Sequence, residues 1–281
     1  MSEMDIAKLK ELAEQGDADA QFELGVRLSR EDDDAETFRW FLLAAKQGHA
    51  KAQYAVGDCY ALGIGVEEDW EEAYRWYLCS AEQGYAEAQY DVAECLAMGV
   101  GIEENQEEAV RWYRKSAEGG FAPAQVALGL LYDEGVLVPQ SYIEAAKWYR
   151  LAAEQGNMEG QNNLGCLYRD GQGVEQDYKR AFELFTLAAD QEYGSILAWT
   201  NLGYCYENGY GVPKNLEKAV EYYLLAANRG EKVAAFNLGE CYELGKGVEK
   251  DLEKSLEWYR IAAEHGDEDA QKKVQELTKR V

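Results

Sequence analysis

Small and apolar residues recur along the chain with a nearly constant spacing. Eight small residues, one in each of seven repeats and one in the helix that follows them, serve as register marks: Ala20, Ala52, Ala88, Ala124, Gly160, Ala198, Ala234 and Ala270. Successive marks lie 32, 36, 36, 36, 38, 36 and 36 residues apart. Because a period of about 20 to 50 residues is typical of repeat proteins, we expect an array of one structural unit.

The residues that follow each register mark have helical spacing. In the second repeat, Ala52, Val56 and Tyr60 lie at i, i+4 and i+8, which is one stripe of an α-helix. Gly57 lies beside this stripe, and most other repeats also have glycine there. Glycine inside a helix costs roughly 1 kcal/mol relative to alanine, so we expect a neighbouring helix to approach closely.

A glycine turn and a second helix complete each repeat. The turn in the second repeat is Gly63-Ile64-Gly65-Val66, and glycine supplies the positive φ that a helix end requires. A residue that can cap the second helix follows in every repeat: Asp33, Asp69, Asn105, Ser141, Asp177, Asn215 and Asp251. A bulky pair such as Trp76-Tyr77 and a terminal glycine such as Gly84 complete the helix.

This pattern predicts sixteen helices and no strands in a single domain over residues 1–281. Residues 1–16 hold an N-terminal capping helix, residues 17–266 hold seven repeats, and residues 267–281 hold a C-terminal capping helix. The last helix is polar, as the exposed end of a repeat array must be to stay soluble.

The recurring positions combine into A-Q-x-x-L-G-x-x-Y-x-x-G-x-G-V-x-x-D-x-x-x-A-x-x-W-Y-x-x-A-A-x-x-G. This motif resembles the Sel1-like repeat, a relative of the tetratricopeptide repeat, and the resemblance covers nearly the whole chain. It implies an all-α fold in which α/α hairpins stack into a right-handed superhelix, or solenoid. It also implies an adaptor function, because most members of that family assemble protein complexes.

Charge narrows the class of partner. The chain has 53 acidic and 28 basic residues, for a formal net charge of −25. Such a surface repels nucleic acids, which proteins bind mainly through lysine and arginine, and it disfavours anionic membranes. We therefore expect a protein or peptide partner, preferably basic, and neither nucleic acid nor membrane. The alternative is that the acidic charge serves solubility alone.

Location and cysteine chemistry are consistent with one another. No apolar stretch follows a positive segment at the start, and no run of about 18 apolar residues occurs. We therefore predict a cytoplasmic protein, unless a leader has been removed. None of the six cysteines forms a C-x-x-C pair, so we interpret them as small buried residues in a reducing compartment.

The sequence offers little support for catalysis. The two histidines, His49 and His265, lie near opposite ends of the array, each beside a helix-terminal glycine. The glycine turns lack the preceding strand and the Gly-Lys-Ser/Thr sequence of nucleotide-binding loops. We therefore predict no enzymatic activity, no cofactor and no metal site.

Candidate partner-binding residues lie two, three, six or nine residues after the register marks, on the first helix of each repeat. In related solenoids, the first helices line the concave face. One set is aromatic and acidic: Phe22, Tyr54, Asp58, Tyr90 and Glu94. The other is rich in amides and charges: Asn162, Asn163, Arg169, Asn201, Glu207, Asn237 and Glu243. Asparagine can bond to the backbone of an extended peptide, and carboxylates favour basic peptide side chains.

Several alternatives remain open. The asparagines could form hydrogen bonds between helices, and Tyr54 and Tyr90 could pack between repeats. The chain could also be a self-associating architectural scaffold. A hydrolase that uses Glu207 and Glu243 is the least supported alternative, although two carboxylates can perform general acid–base chemistry.

Overall fold

The computed structural model describes residues 6–31, 33–191 and 194–279, and within these ranges the chain forms sixteen α-helices and no β-strand, as predicted. The chain divides into two compact units, Met1–Pro139 (unit 1) and Gln140–Val281 (unit 2). The assignment of residues 1–281 to one domain stays a prediction. The two ends of the predicted capping segments, residues 1–5 and 280–281, lie outside the described residues.

Each unit contains eight helices. Unit 1 contains α1 (Ile6–Glu14), α2 (Ala18–Leu28), α3 (Asp34–Lys46), α4 (Ala50–Leu62), α5 (Trp70–Glu82), α6 (Ala86–Met98), α7 (Gln106–Glu118) and α8 (Ala122–Glu134). Unit 2 contains α9 (Tyr142–Glu154), α10 (Met158–Asp170), α11 (Tyr178–Ala189), α12 (Ile196–Asn208), α13 (Leu216–Ala227), α14 (Lys232–Leu244), α15 (Leu252–Glu264) and α16 (Glu268–Leu277). From α2 to α15, even-numbered helices are the first helices of the repeats and odd-numbered helices are the second helices, while α1 has the register of a second helix and α16 that of a first helix.

The predicted capping residues begin the second helices. All seven accept a hydrogen bond from a first-turn N–H group, as Asp69 does from Glu71 and Glu72. His49 likewise caps α4 by accepting the N–H of Ala52 at its Nδ1 atom over 3.0 Å. Local sequence signals therefore determine where the helices begin.

Close helix packing explains the glycine inside the first helices. A Cβ atom added to Gly57 would lie 2.5 Å from the Tyr77 ring, and one added to Gly203 would lie 2.5 Å from the Tyr223 ring. The predicted close approach of a neighbouring helix is confirmed. Tyr223 is fully buried and Tyr77 is nearly so, which places these rings between the two helices of a repeat.

The six cysteines are free thiols. Four of them are buried as predicted, and burial raises their pKa to about 11 in Cys95 and to about 12 in Cys59, Cys205 and Cys241. The prediction of burial is wrong for Cys79, which is exposed, and Cys166 is half-buried. Cys79 lies on α5 at the register of the exposed Leu187 on α11, a position that the first helices do not cover.

Candidate partner-binding face

The predicted aromatic residues pack between repeats. Phe22 stacks on the imidazole of His49, with ring centres 4.8 Å apart. Tyr54 contacts the ring of Tyr85 at 5.3 Å, and Tyr90 contacts the ring of Phe121 at 5.4 Å. All three side chains are half-buried, so the packing alternative holds for them while part of each ring stays accessible.

The amide-rich set forms a network within unit 2. Asn201 donates from Nδ2 to Asn162 over 2.9 Å and accepts from Arg169 over 2.7 Å. Asn162 is buried and also donates to Asn163 over 3.2 Å. Asn237 is half-buried and has no hydrogen-bond partner among the described residues. The inter-helix alternative therefore accounts for Asn162 and Asn201, whose polar groups already have partners.

A tyrosine hydroxyl links the two helices of the second, third, sixth and seventh repeats. Each tyrosine lies 25 residues after its register mark and donates to a carboxylate on the preceding first helix. In these repeats the tyrosine–carboxylate pairs are Tyr77 with Asp58 (2.9 Å), Tyr113 with Glu94, Tyr223 with Glu207 (2.9 Å) and Tyr259 with Glu243 (3.0 Å). The acid lies six residues after the mark in unit 1 and nine after it in unit 2, one helical turn further on.

The fifth repeat shows that the tyrosine and the acid belong together. It has Phe185 at the tyrosine position, and this ring has no hydroxyl to donate. Nine residues after the same register mark it has Arg169 instead of a carboxylate. The Arg169 guanidinium donates twice to Asp170, at 2.8 Å each, which raises its pKa.

Both tyrosine–carboxylate pairs of unit 2 hold a lysine of the same chain. The Nζ atom of Lys246 lies 2.8 Å from Glu207, and that of Lys273 lies 2.9 Å from Glu243. Lys273 also lies 5.8 Å from the centre of the Tyr259 ring, within cation–π range. The hydrogen bond to Glu207 raises the pKa of Lys246, so this side chain stays protonated at neutral pH. Glu207 and Glu243 of unit 2 thus each have a cation from the same chain.

The corresponding acids of unit 1 have no such cation. None of Asp58, Asp91 and Glu94, which we call the acidic patch, forms an ion pair with any described residue. Asp91 lies three residues after Ala88, at the register that Lys273 occupies after Ala270. Unit 1 therefore has an acid at the register where the end of unit 2 has a lysine.

Burial makes the charge of two acids of this patch, Asp58 and Asp91, unfavourable. It raises the pKa of Asp58 to about 6, although the hydrogen bond from Tyr77 opposes the shift. Burial also raises the pKa of Asp91 to about 6, where a hydrogen bond from Tyr54 opposes the shift and the charge of Asp58 adds to it. Perturbed carboxylates of this kind are typical of functional sites, although structural networks also produce them.

Sequence reasoning missed several members of this face. It assigned the second-helix tyrosines of the tyrosine–carboxylate pairs to packing alone. It also did not include Asp91, Lys246 or Lys273 among the candidate residues. A signal was present for Asp91, because it lies three residues after a register mark, one of the four positions named as candidates. Lys246 gave no such signal, since it lies in a glycine turn and reaches an acid 39 residues away.

Comparison with known proteins identifies the repeat. The sequence profile of the Sel1 repeat matches residues 18–49, 50–85, 86–121, 122–157, 159–193, 198–231 and 232–267. The chain belongs to the Sel1 repeat family. Sel1 repeat proteins generally mediate protein–protein interaction and are generally non-enzymatic scaffolds. A search of curated proteins found no match.

Solved structures agree with this assignment. A protective antigen of uropathogenic Escherichia coli that displays an SLR fold is 34% identical, with a TM-score of 0.81 over 98% of this chain and 59% of that chain. A Sel1 repeat protein from Oxalobacter formigenes is 35% identical, with a TM-score of 0.76 over 86% of this chain and 96% of that chain. The present chain therefore spans less than two thirds of the length of the E. coli antigen. The predicted all-α solenoid class is confirmed.

Two further observations concern only the part of the chain that the structure describes. No helix in it has the length and apolar character that crossing a bilayer requires. No group of three or more His, Cys, Asp or Glu side chains in it is arranged to hold a metal ion.

Proposed function

We propose that this Sel1 repeat protein is a non-catalytic adaptor that binds a protein or peptide partner on the first helices, with the acidic patch of unit 1 at the centre of the contact. Membership of a family that mediates protein–protein interaction supports the general function. One observation supports the location: three half-buried carboxylates, Asp58, Asp91 and Glu94, lack a cation among the described residues. A basic partner would supply it.

The aromatic rings beside the patch favour the same surface. Tyr54 and Tyr90 are half-buried, and each is held by packing against a neighbouring ring. Rigid aromatic side chains lose little entropy on binding, which is why tyrosine is frequent at interfaces. Asn163 and Asn237 remain candidates in unit 2, whereas Asn201 would have to exchange bonds within the chain for bonds to a partner.

Site-specific photo-crosslinking tests this location. We would place benzoylphenylalanine at Phe22 or Tyr90 on the first helices, and at Leu187 or Leu225 on the second helices as controls. Both leucines are well exposed, at 56% and 49%. In the native host lysate, the proposal predicts one crosslinked partner from the first-helix positions and little from the controls. Crosslinks only from the leucines would contradict it.

One observation favours the alternative of a self-associating scaffold. Leu151, Leu187 and Leu225 occupy one register on three successive second helices of unit 2 and are 39%, 56% and 49% exposed. Exposed apolar residues in a row are typical of protein contacts. Light scattering across protein and salt concentration separates the two functions, because a scaffold would form larger species that Leu187→Glu abolishes.

The hydrolase alternative receives no support from the geometry. Glu207 and Glu243 each accept a tyrosine hydroxyl and bind a lysine of the same chain, so both carboxylates already have partners. A general acid or base must be able to reach a substrate, and these contacts occupy oxygens of both carboxylates. We therefore propose no catalytic role for these two glutamates.

A further inference from the structure

The repeats of unit 2 show what a tyrosine–carboxylate pair binds. Lys246 contacts Glu207 at 2.8 Å and Lys273 contacts Glu243 at 2.9 Å, so both pairs in this unit hold an ammonium group. These lysines come from different elements, a glycine turn and the last first helix. The two contacts therefore share the binding site for the ammonium group, which we call the seat and which consists of the tyrosine ring and the carboxylate. They differ in the element that supplies the lysine.

We propose that the tyrosine–carboxylate pairs of unit 1, Tyr77 with Asp58 and Tyr113 with Glu94, bind lysine side chains of the protein partner, as the pairs of unit 2 bind lysines of the chain itself. This inference rests on the proposed adaptor function and specifies the chemistry of the partner.

Three features of unit 1 support it. At the register of Lys246, unit 1 has Ile64, Val100 and Val136, so these turns supply no ammonium group. At the register of Lys273 it has Asp91, which adds a third carboxylate instead of a cation. The seat itself is retained, since Tyr77 donates to Asp58 over 2.9 Å, close to the geometry of the unit 2 pairs.

The exact counterpart of Asp58 in the last repeat points to the same ligand. Glu240, like Asp58, lies six residues after its register mark, and its carboxylate lies 3.8 Å from the Nζ atom of Lys246. An acid at this register therefore reaches an ammonium group when one is present. Raised pKa values for Asp58 and Asp91 in the free chain agree with a missing counter-charge.

The repeat spacing sets the spacing of the lysines. Neighbouring helices pack roughly 10 Å apart, and a segment in the polyproline II conformation rises about 3.1 Å per residue with three residues per turn, so that side chains at i and i+3 face the same side. A segment with lysines about three residues apart would therefore reach both pairs of unit 1. Two adjacent ammonium groups would also face the Asp91 carboxylate, which is shared between the two repeats through Tyr54.

A synthetic peptide tests this without knowledge of the natural partner. The probe is a fluorescein-labelled, amidated Gly-Ser peptide with two lysines at i and i+3, titrated with the full chain by fluorescence anisotropy at pH 7.5. The expected result is saturable binding that Asp58→Asn with Asp91→Asn weakens at least tenfold. Acetylation of both lysines should abolish binding, because the ammonium groups are lost.

A matched control separates the site from the general negative charge. Glu82→Gln with Glu118→Gln also removes two negative charges, from exposed second-helix positions of unit 1. This control should change affinity less than twofold. Equal weakening by both double variants, or tighter binding of the matching arginine peptide, would overturn the lysine assignment.

A second variant keeps the test informative if the asparagine substitutions disturb folding. Lys273→Met empties the pair formed by Tyr259 and Glu243, so it should add peptide-binding capacity in unit 2. No added binding would contradict the idea that the seat recognises lysine. If crosslinking still places a partner on the first helices while the peptide fails to bind, the lysine inference fails and the adaptor proposal stands.

Discussion

Units 1 and 2 contain the same repeat, but they differ in whether a lysine of the chain contacts the carboxylate that accepts the tyrosine hydroxyl. In unit 2, Glu207 accepts Tyr223 and also binds Lys246, so that its charge is balanced within the chain. In unit 1, Asp58 accepts Tyr77 and lacks a cation among the described residues. The difference indicates that unit 2 balances the charge of these acids within the chain, whereas the half-buried Asp58 of unit 1 keeps a charge that no described residue balances.

The largest expected effect comes from disturbing the glycine–tyrosine packing that both units share. Gly57→Val and Gly203→Val would each drive a side chain into a tyrosine ring, since even a Cβ atom would lie 2.5 Å away. Overpacking at a buried contact costs typically 1 to 3 kcal/mol, and we expect about 3 kcal/mol in both units. Urea denaturation would measure it, and a large difference between the variants would show that the shared packing is not equivalent.

Removal of the tyrosine hydroxyl should reduce the stability of the protein more in unit 1 than in unit 2. Tyr77→Phe leaves Asp58 without a donor, which costs about 2 kcal/mol because a half-buried charge loses its hydrogen bond. Tyr223→Phe leaves Glu207 with Lys246, so the expected loss is about 1 kcal/mol. The comparison of the two denaturation midpoints is the readout, and a larger loss for Tyr223→Phe would reverse the expected order.

Substitution of the charged residues should give effects of opposite sign. Asp91→Asn removes a carboxylate that Asp58 repels, and we expect about 1 kcal/mol of added stability at pH 7. Lys246→Met leaves Glu207 without its cation and should cost about 1 kcal/mol. Thermal unfolding of both variants beside the parent chain would test this, and destabilisation by Asp91→Asn would contradict it.

Acidification should reduce the benefit of Asp91→Asn. The pKa of Asp91 in the folded chain is about 6, above its usual 3.8, so the folded state binds this proton more tightly. The resulting contribution to stability is present below pH 3.8 and is lost as pH rises through 6. The advantage of Asp91→Asn over the parent should therefore fall below about 0.5 kcal/mol at pH 4, as denaturation at both pH values would show.

The sequence predicted the fold well because its signals are local and repeated. The seven capping residues each act within one helical turn, and the caps at Asp69 and Asp251 are in the structure as expected. Such signals need no knowledge of distant contacts, so their agreement across repeats determined the helix order.

The binding face was harder to predict because its contacts span many residues. Asn201 is a residue type that can bind a peptide backbone, yet its side-chain oxygen already accepts a hydrogen bond from Arg169, 32 residues earlier. Glu207 and Asp58 also look alike in sequence, although only Glu207 has a lysine, from 39 residues later. Composition identified the candidate positions, while the partners of each side chain required the packed structure.

The central claim is that the acidic patch of unit 1 binds a cationic group of a partner. Carbon-detected NMR of the side-chain carboxyls tests this claim most directly. In the free chain, Asp58 and Asp91 should titrate near pH 6. On saturation with the two-lysine peptide, both midpoints should fall by at least one pH unit, because a nearby ammonium group favours the ionised form. Midpoints near 4 in the free chain, or midpoints that the bound peptide does not change, would contradict the account.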